Sequence, residues 1–181
     1  MLFEDVPMSH DYAGPVYWAY EAGIAAGYSG DNKGIFGVSD DITRGQVMMF
    51  LWRAAGSPEP AGNKQTFKDV PLSNNFYKAI QWGVEQGITG GYTGKKTGYF
   101  GPSDNCTRGQ IAMFLWRFKG KPMPSSKDQT FIDVPADHNF YNAIQWASEE
   151  DITAGYEDGS FGVNKTCTRG HCVTFLYRLL G

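Results

Sequence analysis

Three arginines recur in one setting. Arg44, Arg108 and Arg169 each follow a threonine and precede a glycine, in Thr43-Arg44-Gly45-Gln46, Thr107-Arg108-Gly109-Gln110 and Thr168-Arg169-Gly170-His171. In the first turn of a helix, free amides and the positive end of the helix dipole favour an anion. A guanidinium there can grip a carboxylate with two hydrogen bonds. The competing assignment is an ion pair with a second recurring group, Asp5, Asp69 and Asp133, each just before Val-Pro. Those aspartates suit an Asx turn, that ion pair, or a ligand hydroxyl. Trp18, Trp82 and Trp146 also recur, and an indole there either covers a groove or fills a core.

Other chemistries find no support. His10, His138 and His171 are read as non-equivalent positions, and no Ser/His/Asp or Cys/His set recurs for nucleophilic catalysis. Cys106, Cys167 and Cys172 fit neither a disulfide framework nor a zinc knuckle. Cys106 and Cys167 align with Ile42, and Cys172 aligns with Val47 and Ile111, so these thiols read as replacements for core aliphatics. Asp31-Asn32 and Asp158-Gly159 lack the twelve-residue calcium-loop pattern. No metal or cofactor is expected. Net charge is −3 and no Lys/Arg run exceeds two residues, which argues against nucleic acid and anionic membranes. No apolar run is long enough to cross a bilayer. The start of the chain has no charged and apolar leader pattern, so an exported protein would carry its signal elsewhere.

The elements that position these residues come from an internal repeat. Phe3-Glu4-Asp5-Val6-Pro7 returns 64 residues later at Phe67 and again at Phe131, and the tryptophans keep that spacing. The Thr-Arg blocks are offset by 64 and then 61, because the loop from Gly155 to Phe161 is shorter than its counterparts. The expected units are residues 1–56, 67–120 and 131–181, joined by Pro/Gly/Ser-rich linkers at 57–66 and 121–130.

Each unit holds two helical patterns. The first starts near Tyr12, Phe76 and Phe140, with Phe76, Ile80, Gly83 and Gly87 on one face. In the first unit, Pro15 predicts a start at that residue or one later. Gly23 and Gly87 suit the stop, whereas Asp151 is a poorer one. The second helix starts at the Thr-Arg block, where Thr43 with Gln46 and Thr107 with Gln110 have capping-box spacing that His171 breaks. Val47, Phe50, Leu51 and Ala54 then form an apolar stripe, repeated in the other units. Two short helices bury too little surface alone, so the units must share a core. The reading is a mainly α fold with the three second helices central and the first helices outside.

Phe67-Lys68-Asp69-Val70, Ala79-Ile80-Gln81-Trp82, Gly87-Ile88-Thr89-Gly90-Gly91-Tyr92 and Thr107-Arg108-Gly109-Gln110, in that order and three times over, resemble the S-layer homology domain. The resemblance covers nearly the whole chain. It implies a pseudo-threefold bundle of three helix-loop-helix copies with grooves between neighbours. It also implies non-catalytic, non-covalent binding of secondary cell-wall polysaccharide, often through a pyruvylated sugar, on behalf of a larger bacterial surface protein outside the cell. The main sugar contacts would be Arg44, Arg108 and Arg169. Asp5, Asp69 and Asp133, Trp18, Trp82 and Trp146, and Gln46 and Gln110 complete the candidate set. Gly45 and Gly109 belong to it as well, since a missing Cβ admits either a ligand or a neighbouring helix. The third copy departs most, so the first two are expected to supply the better sites. The other reading is a protein-interaction or adhesion module that keeps the fold without glycan binding.

Overall fold

The computed structural model describes residues 2–126 and 128–181. Six helices dominate: α1 Ala13–Glu21, α2 Arg44–Ala54, α3 Tyr77–Glu85, α4 Arg108–Phe118, α5 Tyr141–Glu149 and α6 Arg169–Leu180. There is no strand among the described residues, only isolated bridges Asp41–Thr168, Thr43–Asn105 and Thr107–Thr166. The fold is mainly α with three repeated units, as the periodicity predicts.

Helix boundaries follow local chemistry. Tyr12, Phe76 and Phe140 are N-caps, one residue before the helix proper. Pro15 sits third in α1, not at its start. The first turn has no intrahelical use for its amides, so a proline costs nothing there. His10 and His138 are equivalent after all, with Asn74 at the middle position. Their Nδ1 atoms accept the Tyr12 and Phe140 amides at 3.1 Å, as Asn74 Oδ1 accepts that of Phe76 at 2.8 Å. The shared role is an acceptor two residues ahead, which amide and imidazole both supply. At the stops, Gly23 and Gly87 are left-handed (φ 69° each), and Asp151 adopts the same conformation at φ 53° despite its Cβ.

The capping boxes at Thr43/Gln46 and Thr107/Gln110 are complete. In α6 the Thr168 hydroxyl still accepts the His171 amide, but His171 Nδ1 pairs with that hydroxyl instead of reaching back to the N-cap amide.

The packing is cyclic. α2 packs on α3, α4 on α5, and α6 on α1. The first helix of each copy therefore lies against the second helix of the copy before it, and the last copy closes on the first. Around the axis, Cys106 N donates to Ile42 O (2.8 Å), Ile42 N to Cys167 O (2.9 Å) and Cys167 N to Cys106 O (3.0 Å). This closed triangle pins the starts of α2, α4 and α6 together, and all three side chains are fully buried. The segments ahead of α3 and α5 are tied down: Glu85 accepts the Ala61 amide, and Glu149 accepts those of Ser125 and Ser126. Trp52 and Trp116 donate to Pro58 O and Pro122 O, which is a packing role.

Candidate anion-binding grooves

The three arginines are almost wholly buried, at 3, 6 and 3% exposure for Arg44, Arg108 and Arg169. Each reaches into the next copy around the ring. Arg44 Nε donates to Phe100 O, Arg108 Nε to Phe161 O and Arg169 Nε to Phe36 O, all at 2.9 Å. Each guanidinium lies over three rings: Tyr92, Phe100 and Phe114 for Arg44; Tyr156, Phe161 and Phe175 for Arg108; Tyr28, Phe36 and Phe50 for Arg169. Burial pushes the Arg169 pKa below its ordinary value. Cation–π contact and carbonyl acceptors offset part of the desolvation.

Among the described residues no carboxylate pairs with them; the ion pairs there are Lys78–Glu59 and Lys96–Asp104. The Arg–Asp pair weighed from the sequence is absent because the aspartates hold backbone instead. Asp5 accepts the amides of Phe36, Gly37 and Val38; Asp69 those of Phe100 and Gly101; Asp133 those of Phe161, Gly162 and Val163. Each thus clamps the loop whose phenylalanine carbonyl receives an arginine.

The helix amides are not free either, which corrects the dipole-end argument. Arg44 N donates to Asp104 O, Gly45 N to Pro102 O and Gln46 N to Thr43 Oγ1. The same pattern repeats at Arg108/Gly109/Gln110 and at Arg169/Gly170/His171. The arginine side chain, not the helix terminus, carries any anion site.

Two grooves expose it. A hollow of about 460 Å³ is lined by Arg44, Tyr92, Gln110, Arg117, Asn139 and Phe140, among others, with no acidic residue. Its counterpart, about 320 Å³, is lined by Arg169, Tyr28, Gln46, Arg53, Asn75 and Phe76, again without an acid. Each combines residues of three copies. Arg108 NH2 donates to Ala154 O (2.8 Å) and Arg169 NH2 to Ala26 O (3.0 Å). Among the described residues Arg44 bonds through Nε alone, so its terminal nitrogens face the hollow unpaired. Gln46 and Gln110 use only Oε1 in their capping boxes, leaving Nε2 as a donor toward the groove.

The cyclic packing changes which copy weakens which site. Arg169 belongs to the divergent third copy but works against the first copy's loop. The departures collect around Arg108. There the repeat register places Asp11 for Asn75 and Asn139, Glu157 for Ser29 and Thr93, and His171 for Gln46 and Gln110. Burial, helped by Arg108, lowers the His171 pKa.

The model of the S-layer homology domain matches residues 2–48, 66–112 and 130–171. The chain belongs to the S-layer homology family. Curated relatives include an endoglucanase of Bacillus sp. (strain KSM-635), 30% identical over 89% of this chain and 17% of the relative. A cellulosome-anchoring protein of Acetivibrio thermocellus is 29% identical over 65% of this chain and 25% of the relative. The chain thus spans a quarter or less of the curated relatives it matches.

Other S-layer homology positions fall away from the grooves. Trp82 and Trp146 are buried (6 and 4% exposed) and line separate clefts, Trp82 with Glu85 and Phe118, Trp146 with Glu150 and Leu179. Half-buried Trp18 packs edge-on against Tyr177. The structure does not bring these indoles together with the arginines. Gly45, Gly109 and Gly170 answer to a neighbour rather than a ligand: a Cβ on Gly45 would stand 2.6 Å from Phe76 and 2.7 Å from Pro102 O, with Phe140 and Tyr12 playing the part of Phe76 elsewhere. Arg53 and Arg117 were missed as groove residues. Their signal was the near-identity of Thr43–Arg53 and Thr107–Arg117, which ends on arginine.

The thiols are core groups. Burial pushes Cys106 and Cys167 up to about 12, and Cys172 well above its ordinary value. Among the described residues no group of three or more His, Cys, Asp or Glu is placed to hold a metal. The native chain is expected to resist iodoacetamide at pH 8 and to gain three adducts once unfolded, read by intact mass. Rapid single alkylation of the native chain would contradict this burial.

Proposed function

We propose that this chain is a non-catalytic anchor. It would hold a larger bacterial surface protein on the outside of the cell wall by binding an anionic wall polysaccharide, such as one with pyruvyl ketals. The observation that carries the reading is Arg44: a guanidinium 3% exposed, without a carboxylate partner, its terminal nitrogens open to a groove shared with Arg117 and free of acids. A buried cation of this kind favours an anionic ligand group. Family membership and the anchoring role in one relative's name support the same reading. Two grooves on one chain would give avidity from modest single-site affinities.

The test is cosedimentation with purified sacculi, with and without their attached polymer, comparing the native chain with Arg44→Ala plus Arg169→Ala. Each lost charge-assisted contact is expected to cost roughly 10–100-fold in affinity. Binding that survives both polymer removal and the double substitution would sink the glycan reading and favour a protein-interaction module.

A further inference from the structure

The surroundings of the three arginines share a plan but not a charge. Beside the Arg44 groove, the loop between Tyr92 and Phe100 carries Lys95 and Lys96. The Arg44 guanidinium carbon is 4.2 Å from the Tyr92 ring centroid and Lys96 Nζ is 4.9 Å from the same centroid. Two cations sharing one ring stand within a Debye length, about 10 Å at 0.1 M salt, so a ligand charge at one is felt at the other. Tyr92 is also the wall between two spaces: the 460 Å³ groove, and a hollow of about 270 Å³ lined by Lys95, Lys96 and Tyr99. Asp69 and Asp104 line that hollow too. Asp69 is held by two backbone amides, and Asp104 accepts the Tyr92 hydroxyl. The Lys96–Asp104 pair is long, at 3.4 Å, with the two side chains 66 and 46% exposed. Such a pair contributes little and yields easily to a ligand anion.

The other arginines lack this pair of loop lysines, although Lys165 Nζ lies 3.8 Å from the Tyr156 ring centroid that Arg108 shares at 5.1 Å. The repeat register places Asp31 and Asn32 where the second copy has Lys95 and Lys96. The third copy's shortened loop offers Glu157 and Asp158.

We propose that the Arg44 groove is the primary site, and that its ligand is a glycan segment bearing two anionic groups. One would sit on Arg44 and Arg117, the other on Lys95 and Lys96 across Tyr92. The Arg169 groove takes a single anionic group, and Arg108, where the repeat register places Asp11 and Glu157, contributes least. This proposal rests on the reading of the grooves as sites for anionic wall glycan.

The test is equilibrium binding of the full chain to polymer-bearing sacculi. Lys95 and Lys96 are exposed and outside the core, so their substitution leaves the fold intact, which a thermal melt verifies. Lys95→Ala plus Lys96→Ala is expected to weaken binding about 5–10-fold in the native background, and under about 2-fold beside Arg44→Ala. Arg44→Ala, Arg169→Ala and Arg108→Ala are expected to rank in that order of loss. Equal losses at the three arginines, or a lysine effect that persists undiminished beside Arg44→Ala, would overturn the grading while leaving groove binding intact. Loss at none of the arginines would instead remove the underlying anchor reading.

Discussion

Phe100→Ala is expected to lower the unfolding free energy by about 3–5 kcal/mol, the usual loss for a fully buried phenylalanine. Phe100 is 0% exposed, packs on Phe67 with ring centroids 5.7 Å apart, and lies under the Arg44 guanidinium at 4.8 Å. Its carbonyl accepts Arg44 Nε and its amide donates to Asp69. One residue thus joins the second copy's loop to the first copy's arginine, its ring packing on Phe67 and under the guanidinium. For a chain of this size the melting temperature should fall by roughly 10 °C, measured by calorimetry or urea titration. Tyr99→Ala is the control: it removes an adjacent ring that is 43% exposed, and should shift stability by under about 1 kcal/mol. Similar losses for the two would mean that the loop does not rest on its buried ring.

Asp133→Ala is expected to cost about 3 kcal/mol for a different reason. The carboxylate accepts Phe161 N at 2.6 Å, Gly162 N at 2.8 Å and Val163 N at 3.3 Å, and all three residues are buried. Truncation leaves those amides without an acceptor, at about 1–3 kcal/mol for each one that water cannot reach. The same bonds make stability depend on acid. Desolvation acts to raise the pKa of Asp5 and of Asp133, but the amide bonds outweigh it and both are lowered below 3.8. A depressed carboxylate contributes stability that is fully present above its unfolded value, about 3.9, and is lost as pH falls through the folded value. Native melts should therefore drop steeply below about pH 4, and Asp133→Ala should flatten that drop. A variant as acid-sensitive as the native chain would show that this clamp is not the titrating contact.

How far the sequence showed this structure depends on whether the deciding contact is local. The box at Thr43 and Gln46 spans three residues, and the stop at Gly23 needs one backbone conformation, so each is written in the residues that form it. The apolar stripe of α2 told which face is buried but not against what. Its partner, α3, is the first helix of the next copy, and periodicity carries no information on whose helix fills a groove. That gap led to the expectation that the third copy weakens its own arginine, whereas the substitutions gather around Arg108. Likewise the free amides expected at Arg44 and Gly45 are taken by Asp104 and Pro102, 60 and 57 residues away. Gly45 looked ambiguous because Phe76, which crowds it, is remote in the chain.

The closed triangle of Ile42, Cys106 and Cys167, with α1 seated on α6, would make the proposed attachment an all-or-none property. Arg44, Tyr92 and Phe140 come from three different copies, so no groove survives the loss of any one of them. Peeling α1 away from α6 would take Asp11 and Tyr12 from the surroundings of Arg108 and open the ring. Conversely, a ligand in either groove would touch three copies at once and so add to the force needed to open the ring. An anchor built this way would let go at all its grooves together.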